Sequence, residues 1–172
     1  MYTSRILAIL GFIFLGIASR LVPHPPNFTA INAVALLGVC SLGSLWLSLL
    51  TVFIIMFLTD LILGLHCSLL FVYLSYGLVT LMGHWVSSKK SLLHNALLLI
   101  FSSLVFFLIT NFGVWLTCSI YPKTLPGLGI CYLAAIPFLA NQIVGNFFYA
   151  ALILFPSVVF DYFDLEAKSF SR

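Results

Sequence analysis

The chain has 172 residues, of which 63% are hydrophobic and only 6% charged, and its mean hydropathy is +1.22. Soluble domains carry about 25% charged residues, and no water-soluble fold of this length hides so much apolar surface, so the solvent is lipid. A net charge of +3 without a basic stripe excludes a nucleic-acid partner.

The apolar runs are continuous, whereas a membrane β-barrel alternates apolar and polar residues in short segments. The fold class expected is all-α: a polytopic membrane protein with six transmembrane helices in a single domain over residues 1–172. The first helix runs from about Ser4 to Ser19 and ends at Arg20. Its stretch "SRILAILGFIFLGIAS" would also pass for a signal peptide. The rest of the chain is equally apolar, so a retained first helix is the expectation. "RLVPHPPNFT" then breaks it, because prolines do not continue a helix. The second helix covers about Ala30 to Val39 and is short for a span of ~20 residues. The third runs from Leu45 to about Leu63 and ends at Gly64. The fourth covers about Leu69 to Trp85, the fifth about Asn95 to Cys118. "YPKTLPGLG" reads as a Pro/Gly loop. The sixth covers about Ala134 to Phe155, followed by a polar tail.

Six spans put both termini on one side. The cytoplasmic side is expected to hold Arg5, Lys89, Lys90, Lys168 and Arg172, and the outer side Arg20 and Lys123. Both termini are therefore expected in the cytoplasm, with the chain in a bacterial cytoplasmic membrane.

The polar chemistry then collects at the outer helix ends. Asp60 lies ~6 Å below the outer end of its helix, and Asn111 and Asn141 ~10 Å below theirs, at 1.5 Å per residue. Such groups are costly in hydrocarbon unless they face a partner or a wet cavity. The economical arrangement has all three facing one outward pocket. A structural hydrogen-bonded carboxyl for Asp60 and interhelical bonds for the two asparagines are the plainer readings. Trp115, Tyr73, Tyr76, Tyr121 and Tyr132 offer aromatic walls, or an interfacial belt.

Cys118 and Cys131 share one outer loop and would close a disulfide in an oxidising compartment. Cys40 reads as packing. Cys67 has no neighbour in sequence to pair with and lies beside His66. As a thiolate it would suit a soft metal, with His24 as a second ligand; otherwise it is an ordinary loop cysteine. No metal cage, P-loop, GxGxxG or GxSxG is present. A binding protein is thus expected rather than an enzyme, although a thiol enzyme using Cys67 with His24 or His66 is a second reading.

The stretch "SRLVPHPPNFTAINAVALLG" resembles the signature of a family of small bacterial membrane proteins. "TDLILGLHCSLLFVYLSYGLV", "LITNFGVWL", "YPKTLPGL" and "CYLAAIPFLANQIVGNFFYAAL" match the same pattern. That family in turn resembles the S components of energy-coupling factor (ECF) vitamin transporters, and most closely the solitary cobalamin-specific ones. The resemblance implies a six-helix bundle that takes up a vitamin in an outward pocket built from the first, third and fifth loops. It implies cobalamin (vitamin B12) as the ligand, with Cys67 on the cobalt and no cofactor of the protein's own. Asn27, Phe28, Asp60, His66, Asn111 and Asn141 would shape the pocket, with Tyr73, Trp115 and Tyr132 as its walls. Another vitamin or precursor is the alternative ligand. S components that share an ATPase module often carry AxxxA on the first helix. "ILAILGFIFLGIASR" lacks it, which puts docking to an ECF ATPase module in doubt.

Overall fold

The computed structural model describes residues 2–86 and 91–170. Lys89, Lys90 and Arg172, on which part of the expected charge asymmetry rests, lie outside them. Among the described residues there are six α-helices: α1 (Tyr2–Leu21), α2 (Ile31–Leu42), α3 (Leu45–Leu63), α4 (Leu69–Met82), α5 (Leu92–Thr117) and α6 (Leu125–Phe170). A short 3-10 turn, Gly83–Trp85, extends α4. Three of the helices, α3, α5 and the Leu125–Phe155 part of α6, are long and apolar enough to cross a membrane.

The shortest helix is the centre of the fold. α2 has 12 residues, and ten of them are buried. At 1.5 Å per residue it is ~18 Å long, well under the ~30 Å of a bilayer core. Its sequence, INAVALLGVCSL, has apolar residues on every face, the pattern of a helix enclosed by others. α1, α3, α4, α5 and α6 all pack on it. Ala30, Ile31, Ala33, Ala35 and Leu36 are wholly buried, and Val52, Ile55 and Val79 close over them from α3 and α4. The outer helices turn their large apolar side chains outward, among them Phe14, Trp46, Leu70 and Leu92. This is the reverse of a soluble protein's surface and fits contact with lipid.

Local chemistry sets most helix ends. Ser44 and Ser91 have extended backbones, and their hydroxyls accept from the N–H groups of Leu47 and His94. Gly43 ends α2 at φ +64°, a conformation open to glycine. The start of α6 differs from the sequence reading. "YPKTLPGLG" is loop only as far as Thr124, and the helix begins nine residues before Ala134, at Leu125. Pro126 falls in the first turn, where a missing N–H costs nothing. The Thr124 hydroxyl accepts from Gly127 N–H at 3.2 Å. Beyond Phe155 the expected polar tail is helical to Phe170, and its Leu-Glu-Ala-Lys run is strongly helix-favouring.

Close approach of backbones to α2 makes one testable demand. A Cβ on Gly83 would meet the Leu36 carbonyl oxygen at 2.6 Å and the Val39 side chain at 2.8 Å. A carbonyl in the central helix cannot rotate away as a side chain would. Gly83→Ala is expected to cost about 1–3 kcal/mol, read as a lowered melting temperature of the detergent-solubilised protein. An unchanged melting temperature would show that α4 is free to shift off α2.

Candidate functional site

The C-terminal ends of α1, α3 and α5 and the N-terminal ends of α2, α4 and α6 come together at one end of the bundle. Three loops lie there: residues 22–30, 64–68 and 118–124. Each is tied down by specific bonds.

The first loop is drawn inward. Ala30 N–H donates to the Ser19 hydroxyl at 3.0 Å, and Asn141 on α6 donates to the Pro26 carbonyl at 3.1 Å. Asn27 takes φ +64°, which asparagine tolerates better than most residues. Phe28 packs on Phe148 and Tyr149, with ring centroids 5.7 Å away in each case.

The second loop is tied to α5 by a disulfide between Cys67 and Cys118, whose Cα atoms are 5.5 Å apart. This corrects two expectations. Cys118 pairs with Cys67 and not with Cys131; the Cys131 thiol is buried and donates to the Asn111 carbonyl at 3.4 Å. Cys67 in turn is no free thiol. While the disulfide is closed it can be neither the cobalt ligand nor the nucleophile of a thiol enzyme, because both roles need the thiolate. Among the described residues no group of three or more His, Cys, Asp or Glu is placed to hold a metal ion.

The third loop is held by Lys123 and Trp115. The Lys123 ammonium donates to the carbonyls of Trp115 and Cys118. A cation there satisfies carbonyls that the end of α5 leaves open and complements its dipole. Trp115 Nε1 donates to the Pro122 carbonyl at 2.9 Å. Trp115 is therefore a latch of the loop and lines no described cavity. Tyr132 similarly donates to the Leu108 carbonyl at 2.7 Å and packs on Phe107.

Asp60 is also structural. Its Oδ1 receives the Arg20 guanidinium at 2.8 Å and its Oδ2 the Tyr73 hydroxyl at 3.0 Å. The other Arg20 nitrogen donates to Thr59 Oγ1 at 2.8 Å and faces Met56 Sδ at 2.9 Å. The sequence reading placed Asp60 with Asn111 and Asn141 around one pocket. Instead the three part company: Asp60 is in an ion pair across α1 and α3, Asn141 anchors the first loop, and Asn111 alone borders a cavity. Depth along each helix was a sound guide to the end of the bundle, but not to the direction each side chain faces.

Between the loops lies a cleft with two lobes that share Asn27, His66, Val72 and Phe106. The larger lobe, ≈ 330 Å³, lies between α5 and α6, against Thr110, Asn111, Tyr121 and Phe138. The smaller, ≈ 220 Å³, lies toward α1 and α3, against Arg20, His24, Thr29 and Tyr76. Of the residues singled out from sequence, Asn27 and His66 face both lobes, Asn111, Tyr121 and Cys131 the larger, and His24 and Tyr76 the smaller. Asn111 donates its amide N–H to its own helix, at Phe107 O, 2.8 Å away.

Sequence reasoning missed a polar layer beneath the cleft. Asn32 on α2 donates to Ser102 at 2.8 Å, and Asn146 on α6 donates to Ser103 at 2.7 Å. Both serine hydroxyls donate to one carbonyl, that of Leu99. Asn32, Gln142 and Asn146 are at most 3% exposed, and each keeps an amide oxygen without a partner. Rotating an amide by half a turn would exchange an orphaned acceptor for an orphaned donor, so the layer is polar whichever way each amide is set. The signal was present as Asn and Gln inside apolar runs. Only the packing of α2, α5 and α6 brings Asn32 to Ser102 and Asn146 to Ser103, with Gln142 one helical turn from Asn146.

The profile of a family of unknown function, DUF6580, matches residues 2–163. No curated protein and no solved structure matches the chain.

Proposed function

The chain belongs to the DUF6580 family, a family of unknown function, and from that premise we propose that it is a substrate-binding membrane component that captures a vitamin-sized molecule from the non-cytoplasmic side. All six helices then belong to the membrane domain, in an S-component-like bundle, with both termini in the cytoplasm. The observation that carries this reading is the two-lobed cleft, walled by His66, Asn27 and Asn111 and opening among three tethered loops. Its larger lobe alone, ≈ 330 Å³, falls at the lower end of the ~300–1,000 Å³ typical of small-molecule sites. The disulfide at the same end supports the orientation, since such bonds persist in oxidising compartments.

The cobalamin form of this proposal asks more of the protein. A corrin exceeds either lobe, and Cys67 would first have to be released from Cys118. A smaller vitamin or precursor needs neither change and is the ligand the geometry favours. Docking to an ECF ATPase module would use the exposed side of α1. There Gly11 has open space around it, while Gly16 is pressed onto Ile55.

The test is a thermal-shift screen of the purified protein against water-soluble vitamins and their precursors. A ligand at 100 times its Kd is expected to stabilise the protein by about 2.7 kcal/mol. His66→Ala or Asn111→Ala is expected to weaken the bound ligand about tenfold, the scale of one hydrogen bond to a charged group. A protein purified coloured by cobalamin would restore the larger ligand. A protein that no compound stabilises would end the binding reading.

A further inference from the structure

The two lobes differ in chemistry, and the difference specifies the charge of the ligand. This inference rests on the small-molecule reading above and deepens it. The wall of the smaller lobe holds Arg20, His24 and His66 with Thr29 and Tyr76, and neither lobe has an acidic residue in its wall. Arg20 is paired with Asp60, so the pair as a whole is neutral. Its orientation is not neutral: Arg20 borders the lobe, while Asp60 is 2% exposed and absent from the wall. The pair therefore presents its cationic end to the cavity.

A second, independent source of positive potential lies at the same place. Thr29 lines the smaller lobe, and the next residue, Ala30, begins the entry into α2. The first turn of a helix carries about half a positive charge; here Ala30 N–H is bonded to the Ser19 hydroxyl and residues 30–33 line neither lobe, so this charge reaches the lobe as a field and not as a contact. This terminus sits at the buried centre of the bundle, with Ala30 and Ile31 wholly enclosed. There the field is screened less than at an exposed helix end. His24 adds a ring held by its Nδ1–H, which donates to the Pro25 carbonyl at 2.7 Å; its Nε2 is then an acceptor in the neutral ring and a donor to an anion in the imidazolium. The larger lobe shares His66 but has no arginine and no second histidine; it sets Thr110, Asn111 and Tyr121 beside Val114, Ile120, Ala135 and Phe138.

We infer that the cleft takes a compact organic anion, with its carboxylate or phosphate in the smaller lobe against Arg20, His24 and His66, and its apolar or ring portion in the larger lobe.

The experiment uses the full-length protein in detergent and matched acid–amide pairs as probes: nicotinate with nicotinamide, biotin with biotin amide, and pantothenate with pantothenamide. Thiamine and riboflavin serve as cationic and uncharged controls, and pyridoxal phosphate as a phosphate probe. The expected result is that the stabilising compounds are anions, and that the acid of at least one pair binds at least tenfold more tightly than its amide. His24→Gln and His66→Gln, both on loops, are expected to lower affinity for the acid at least fivefold and to narrow the preference for the acid over its amide. If a cationic or uncharged compound binds as well as any anion, the charge inference is overturned and the small-molecule reading stands. If nothing in the panel binds, both fall.

Discussion

Replacing Asp60 by alanine is expected to cost about 3–5 kcal/mol, the usual penalty for removing one partner of a buried ion pair. The physical cause is the charge left behind. Arg20 is only 15% exposed, and without Asp60 its guanidinium keeps a hydroxyl and a thioether as partners at the edge of an apolar bundle. Tyr73 loses its acceptor in the same step. For a chain of this size each kcal/mol moves the melting temperature by about 2–4 °C, so a fall of roughly 10 °C is expected in detergent. Arg20→Met together with Asp60→Leu removes both charges and is expected to recover at least half of that loss. The recovery separates the cost of an orphaned charge from the worth of the pair. Equal losses in the single and double variants would show that Asp60 acts through shape alone.

Opening the Cys67–Cys118 bond is the second large effect. The bond spans 51 residues, and loop entropy in a freely unfolded chain would assign it about 4 kcal/mol. The unfolded chain in a membrane is not free. In the proposed six-span topology α4 and α5 stay inserted, both cysteines remain at the same membrane face, and much of the entropy the bond removes is already absent. An expected loss of about 2 kcal/mol follows, or roughly 4–8 °C. Cys67→Ser, Cys118→Ser and the double variant should fall by the same amount, and a reductant should add nothing to any of them. Thiol labelling checks the pairing directly. The unreduced protein should label at exposed Cys40 and slowly at buried Cys131, with two further sites appearing on reduction. Labelling of Cys67 before reduction would place a free thiol at the mouth and return the cobalt ligand to consideration.

These two effects share a cause that bears on the proposed uptake. The ion pair fixes α1 to α3, and the disulfide fixes the loop before α4 to the end of α5. Between them they clamp two sides of the cleft. α6 is tied to the first loop by the Asn141–Pro26 bond and the packing of Phe28 on Phe148 and Tyr149, and to α5 by bonds from Tyr132, Cys131 and Asn146.

Much of this architecture is legible in the sequence. The apolar runs gave α3 with its observed ends and α5 to within three residues, because a continuous greasy segment closed by serine and glycine has few other ways to satisfy its backbone in lipid. The side of the bundle that gathers the polar loops also followed from helix count and Pro/Gly placement. Partner choice did not follow. Asp60 could be placed at a depth but not assigned to Arg20, which lies 40 residues away on another helix. Cys118 had a nearer candidate in Cys131 than Cys67, and the disulfide crosses two helices to reach the farther one. The same limit hid the Asn32, Gln142 and Asn146 layer. Composition and hydropathy are sums along a chain, so the sequence by itself determined that this is a helical membrane protein and where α3 and α5 run, whereas α6 begins earlier and ends later than its apolar run. Directions around each helix, and the helix that ends up at the centre, are set by contacts among all six at once. The tertiary structure alone decided that the short α2 is the core and that His66, Asn27 and Asn111 face a common space.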